Sequence, residues 1–123
     1  MSGWSNFKNY TISVIDKKKY SFLKKRNKNN KIKFFKSIDD INNQNNFDYI
    51  IFATRPLELT NVFKELKNTN FNKKTIAISV IAGKKTEIFK KNLLYIRKIA
   101  RVMPNMPALI GEGVNCILSL IHI

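Results

Sequence analysis

Residues 47–53 read Phe47-Asp48-Tyr49-Ile50-Ile51-Phe52-Ala53, a near-continuous apolar run of strand length. A run of that kind fits a parallel strand buried on both faces. It stops at Thr54-Arg55-Pro56, where the proline cannot continue a hydrogen-bonded ladder. Residues 57–66 follow with Leu59, Val62, Phe63 and Leu66 at helical spacing. A polar turn over residues 67–74 leads to a second buried-strand run at 75–82, closed by Gly83. Strand, helix and strand joined this closely predict a parallel crossover.

The pattern continues in both directions. Residues 86–94 read as a helix and 96–103 as a further strand. Upstream, residues 10–16 alternate and are β-branched, which predicts a strand, and 31–35 predict another. Between them residues 19–28 suit a short amphipathic helix with Tyr20, Phe22 and Leu23 as its apolar members. Ser37 is placed to cap a brief helix, with Asp40 three residues on in the capping-box position usually held by Glu. That helix frays into an Asn/Gln cluster at residues 42–46. No internal repeat and no linker is present, so the chain reads as one α/β domain, a doubly wound parallel sheet with helices on both faces.

Composition narrows the function. The formal net charge of +15 invites a nucleic-acid reading. Lys, Asn, Ile and Phe are over-used together, however, as an A- and T-rich coding sequence produces. The basic residues are scattered apart from one denser run at residues 17–33, so nucleic acid is set aside as a partner. Cys116 is the single cysteine and His122 the single histidine, which excludes an internal disulfide and a cysteine or histidine zinc cluster. Without a histidine partner nearby, Cys116 reads as a small apolar residue. No apolar run approaches the ~18 residues of a membrane span, and the first residues lack a signal-peptide apolar region. The chain reads as cytoplasmic and reduced, with no membrane partner.

In an open parallel sheet, ligands bind beyond the carboxyl ends of the strands. Four segments fall at such ends: residues 16–19, 53–56, 82–84 and 104–107. Asp16 closes a strand, where a carboxylate accepts from ribose hydroxyls of a dinucleotide; the plainer reading is a turn residue. Lys17 and the two lysines after it suit a 2′-phosphate instead, so the preference between NADPH and NADH stays open. Ala53, Thr54, Arg55 and Pro56 put small residues and a strand stop where a cofactor passes the backbone, and Ala82 with Gly83 allows the same approach. Asn105 offers both a donor and an acceptor to a carboxamide. The glycine fingerprint Gly-x-Gly-x-x-Gly is not seen: before Gly83 the sequence has only Gly3.

The last of these segments belongs to a longer one, Arg101-Val102-Met103-Pro104-Asn105-Met106-Pro107-Ala108-Leu109-Ile110-Gly111-Glu112-Gly113. Two prolines and two glycines in that span specify a shaped loop. Together with residues 47–56 and Ile78-Ser79-Val80-Ile81-Ala82-Gly83 it resembles the pyrroline-5-carboxylate reductase family over about residues 2–117. The segment Met1-Ser2-Gly3-Trp4 looks similar to the end of that family's first helix.

The resemblance implies an enzyme that reduces Δ1-pyrroline-5-carboxylate to L-proline with NADPH or NADH, the last step of proline biosynthesis. It implies an incomplete Rossmann-type domain whose first strand and glycine-rich loop are missing. The expected layout is a partial NAD(P)-binding domain at residues 1–117, a tail of uncertain origin at 118–123, and no helical C-terminal dimerisation domain. Ala53, Thr54, Arg55 and Pro56 are then expected to line the cofactor, Ala82 and Gly83 to flank the nicotinamide, and Asn105 to lie near the reacting ring. Thr54 and Arg55 depart from the family's Val and Lys, and Met106 from its Thr. The chain is expected to be a fragment, inactive alone, of an enzyme that is homo-oligomeric at full length and acts on a small molecule. No catalytic residue is assigned. Another NAD(P)-dependent reductase with the same domain is the alternative, against which the Pro-Asn-Met-Pro to Gly-Glu-Gly segment speaks; a basic nucleic-acid-binding module is the other.

Overall fold

A computed structural model describes residues 9–42, 46–105, 107, 110 and 112–122, the last four of these by backbone alone. Residues 43–45 of the Asn/Gln cluster and the segment Met1-Ser2-Gly3-Trp4 lie outside the described residues. The chain divides into two units, residues 1–42 and 43–123.

In the first unit, β1 (Ile12–Ile15), α1 (Tyr20–Arg26) and β2 (Ile32–Phe35) form a parallel pair of strands with its crossover helix. Ile12 pairs with Ile32 and Ile15 with Phe35, so both strands end at one edge. α1 has no buried residue, and Phe22 is more than half exposed. A short 3-10 turn, Ile38–Asp40, follows β2. The expected capping box is formed: Ser37 Oγ accepts from Asp39 N at 3.3 Å, and Asp40 Oδ2 accepts from Ser37 N at 3.1 Å. Two orphan donors are satisfied reciprocally, and Ile38 is buried behind them.

The second unit holds β3 (Tyr49–Phe52), α2 (Leu59–Leu66), β4 (Ile76–Ser79), α3 (Thr86–Asn92), β5 (Lys98–Pro104) and β6 (Asn115–His122). Its sheet has the order β3-β4-β5-β6, with the first three strands parallel and β6 antiparallel to β5. Because the order advances in one direction, right-handed crossovers put α2 and α3 on the same face. The packing shows it. Phe52 of β3, Phe63 of α2 and Phe89 of α3 form a triangle with ring centroids 5.2–6.1 Å apart. Such tilted and edge-on pairs add ~0.5–1.5 kcal/mol each beyond their burial. The other face of β3 carries Tyr49 and Ile51, both exposed. Helices on both faces describe a complete doubly wound sheet; within this unit the covering is one-sided.

Two further observations concern the end of the chain. The expected tail at residues 118–123 begins inside β6, whose backbone pairs Lys98 with His122 and Ile99 with Ile121. Cross-strand pairing over seven residues of β5 decided this, and no local pattern in the tail announces it. Cys116, expected to be a small apolar residue, is exposed and faces Met103 across that ladder.

Candidate functional site

Parallel register puts the carboxyl ends of β3, β4 and β5 at one edge of the second unit: Phe52 pairs with Ser79 and Ser79 with Arg101. Ala53, Thr54, Arg55 and Pro56 leave that edge from β3, and Ala82 with Gly83 leaves it from β4. The structure brings these six residues to one rim. Asn105 is carried further. β5 runs on past Arg101 to Pro104, so Asn105 overhangs the rim by ~13 Å at the rise of a parallel strand. Its Oδ1 accepts from Val114 N at 3.0 Å, closing the loop between β5 and β6. Its side chain amide is left as the donor toward a ligand. Met106, and residues 108, 109 and 111 of the same loop, lie outside the described residues.

Asp16 and Lys17 belong to the first unit and stand at the carboxyl end of β1. Asp16 Oδ1 accepts from Lys18 N at 3.0 Å and Lys19 N at 2.9 Å. The carboxylate thus closes a turn, the plainer of the two readings of an acidic strand end.

One residue that shapes the rim, Ser79, was not among the expected site residues. Ser79 is buried at the end of β4, and its Oγ accepts from Ile81 N at 3.3 Å, bending the chain toward Gly83. Gly83 sits at φ 72, a conformation that favours glycine, and open space surrounds the position of a Cβ. Thr54, expected from the sequence to line the cofactor, has its Oγ1 shielded from solvent with no hydrogen-bond partner among the described residues. A buried hydroxyl in that state costs ~1–3 kcal/mol of desolvation, which a ligand acceptor or donor at the rim would recover. The unpaired hydroxyl, the small Ala53 and the open Gly83 fit a dinucleotide lying along the rim.

An open hollow of about 410 Å³ is lined by Phe47, Asp48, Tyr49, Asn72, Lys74 and Ile76, at the amino ends of β3 and β4. It lies at the wrong end of the strands for the chemistry of this sheet class. Among the described residues, no group of three or more His, Cys, Asp or Glu is placed to hold a metal. No described helix is long and apolar enough to cross a membrane.

Parallel strands with crossover helices and a rim of this composition define a Rossmann-type α/β protein. No family model matches the chain. Over 86 residues it is 34% identical to pyrroline-5-carboxylate reductase of Haemophilus influenzae, covering 65% of this chain and 31% of that protein. Over 72 residues it is 36% identical to the reductase of the same name from Aquifex aeolicus, covering 58% of this chain and 26% of the other. The crystal structure of Plasmodium falciparum pyrroline carboxylate reductase with NADP bound matches with a TM-score of 0.55 and 26% identity, over 74% of this chain and 34% of that one. The chain is thus a relative of the pyrroline-5-carboxylate reductases, and it spans less than a third of the length of these two curated relatives.

Proposed function

We propose that this chain supplies the dinucleotide-binding share of a reductase that converts Δ1-pyrroline-5-carboxylate to L-proline with NADPH or NADH. In this reading residues 1–117 act as a partial NAD(P)-binding domain. When bound, the reduced nicotinamide supplies a hydride to the imine carbon while the nitrogen gains a proton. The chain's own residues bind and orient. Ala53 and Gly83 permit close backbone approach, Thr54 Oγ1 hydrogen-bonds the ligand, and Asn105 offers its amide donors from the overhang. Arg55 and Pro56 border the rim. None of these residues suits a proton donor to the imine, so that role lies elsewhere in the enzyme. A homo-oligomer at full length and a cytoplasmic setting accord with this reading.

The single observation that carries it is the orphaned Thr54 hydroxyl at a rim built from three parallel strand ends. The likeness to an NADP-bound structure supports it. The test is a titration of the full chain with NADPH, followed by nicotinamide fluorescence. Saturable binding is expected, and Thr54→Val should weaken it about fivefold, the worth of one hydrogen bond. Binding that ignores this substitution overturns the assignment of the rim. Proline formation by this chain alone would show that it carries more than the nucleotide-binding share.

A further inference from the structure

Ten of the chain's 23 basic residues fall within residues 17–36, and no acidic residue stands among them. A drift in coding composition spreads lysine over every solvated face and gives no reason for that separation of charge. Scatter along the chain set nucleic acid aside as a partner. The fold, however, confines this run to the first unit, where all ten side chains are exposed.

α1 carries the middle of the run. Phe22, Lys25 and Arg26 stand at i, i+3 and i+4, so they form one stripe, and all three are exposed. The Arg26 guanidinium lies over the Phe22 ring, 5.1 Å from its centroid, which holds a planar cation beside a ring more than half exposed. Tyr20, half-buried, is already engaged: Lys24 Nζ and Lys36 Nζ lie 5.4 and 5.5 Å from its centroid. Lys24 also donates to Tyr20 Oη at 3.0 Å, and that bond, with the accompanying charge interaction, raises the lysine pKa and keeps it charged. The loop after α1 is shaped by its own side chains. Asn27 Nδ2 donates to Ile32 O at 2.6 Å and Asn29 O at 3.1 Å, and Asn27 Oδ1 accepts from Asn29 N at 3.0 Å. Lys28 stands between those two asparagines, on a fixed turn that continues from the stripe.

The chemistry of this surface selects its partner. Lys24, Lys25 and Lys28 lie within five residues and suit the phosphates of one strand. A flat cation stacked on an open ring suits a nucleobase, whose faces are available where the strand is single. A lipid surface fits less well, because Phe22 alone among the apolar residues of α1 is exposed, and an interfacial helix buries a whole apolar face. An acidic peptide would pair with the cations and leave the ring unused.

We propose that α1 and the turn after it bind single-stranded nucleic acid, with Phe22 and Arg26 stacking a base and Lys24, Lys25 and Lys28 contacting phosphates. This surface lies wholly within the first unit and needs nothing from the rim of the second. The test is the fluorescence anisotropy of a labelled oligouridylate, about a dozen nucleotides long, titrated with the full chain. Three phosphate contacts should make affinity fall about 20-fold between ~50 and ~200 mM salt. Phe22→Ala should weaken binding about tenfold without changing that salt dependence, and Phe22→Trp should keep the parent affinity. Lys25→Gln with Lys28→Gln should reduce the salt effect to about threefold. Lys73→Gln with Lys90→Gln removes the same charge from the second unit and should leave binding unchanged. Polyphosphate, a polyanion without bases, should bind the parent and Phe22→Ala equally, and a duplex of the same length should bind more weakly than the single strand. Circular dichroism checks each fold; should Phe22→Ala unfold, Phe22→Leu removes the ring in its place, and the single lysine variants replace the pair. Absence of oligouridylate binding, equal binding of the duplex, an equal loss in the control pair, or an effect of Phe22→Ala on polyphosphate overturns the proposal. So does capture by phosphatidylserine vesicles that the oligouridylate does not displace, which would make a membrane surface the partner.

Discussion

The β1–α1–β2 unit and the β3–β6 unit are built from the same strand–helix–strand plan, yet they are held together differently. In the second, α2 buries Leu59, Phe63 and Leu66, and α3 buries Thr86 and Phe89, the latter against Phe52 of β3. In the first, α1 buries nothing, and Ile32, Ile38 and Ile41 are the buried apolar side chains among the described residues. Apolar burial is the main favourable term in folding, at ~25 cal/mol per Å², and a seven-residue helix is far shorter than the ~12–15 residues at which isolated helices become even marginal. One unit is thus organised by a core and the other by its ladder, its capping box and its turns. The second carries a packed rim, and the first presents charge.

The sharpest way to break this comparison is to make one substitution in both units. Phe89→Ala removes the ring that touches both Phe52 and Phe63 and should cost about 3–5 kcal/mol. Phe22→Ala, on the exposed face of α1, should change stability by no more than about 0.5 kcal/mol. Urea unfolding reads both, and equal losses would show that α1 has a core of its own. A smaller effect comes from Ser37→Ala, which opens the capping box at a cost of about 1 kcal/mol. Hydrogen exchange should show it as faster exchange at Ile41 with β4 amides unchanged; a uniform effect would mean that the two units open together. The smallest is Thr54→Val. Removing a hydroxyl that has no partner should leave the unfolding free energy within about 0.5 kcal/mol, even as dinucleotide binding weakens. A large stability loss would mean that the hydroxyl is paired in the folded chain.

Much of the second unit was legible because its signals are local and periodic. The apolar run ending at Phe52, the helical spacing of Leu59, Val62, Phe63 and Leu66, and the run ending at Ser79 each specify an element before any tertiary contact forms. Ser37 and Asp40 announced their turn for the same reason, since a cap is completed within four residues. The elements are shorter than the sequence patterns: β3 is Tyr49–Phe52 within an apolar run at 47–53, and α3 stops at Asn92. Flanking positions there share the composition of an element without its hydrogen bonds.

The site was legible as places and less so as roles. Strand ends located Ala53, Thr54, Arg55, Pro56, Ala82, Gly83 and Asp16, because chain direction in a parallel sheet fixes which end is which. That Asp16 closes a turn, that Asn105 holds Val114 N, and that Thr54 lacks a partner depend on distances of about 3 Å between atoms whose placement no spacing rule encodes. Lys24 and Lys36 both lie over the ring of Tyr20, and Lys36 reaches it from sixteen residues away, just past the end of β2. Only the i, i+4 half of this arrangement, Tyr20 with Lys24, had a signal to find.

By itself, the sequence determined that this is an α/β chain of short parallel strands with a Pro/Gly-shaped loop after β5, because apolar periodicity and turn chemistry act within a few residues. Tertiary structure alone decided that α2 and α3 share one face, that residues 115–122 join the sheet in reverse, and that hydroxyls and carboxylates at the strand ends are paired or left open. Those outcomes depend on strand order and on which distant groups meet, and neither is written in any local stretch of the chain.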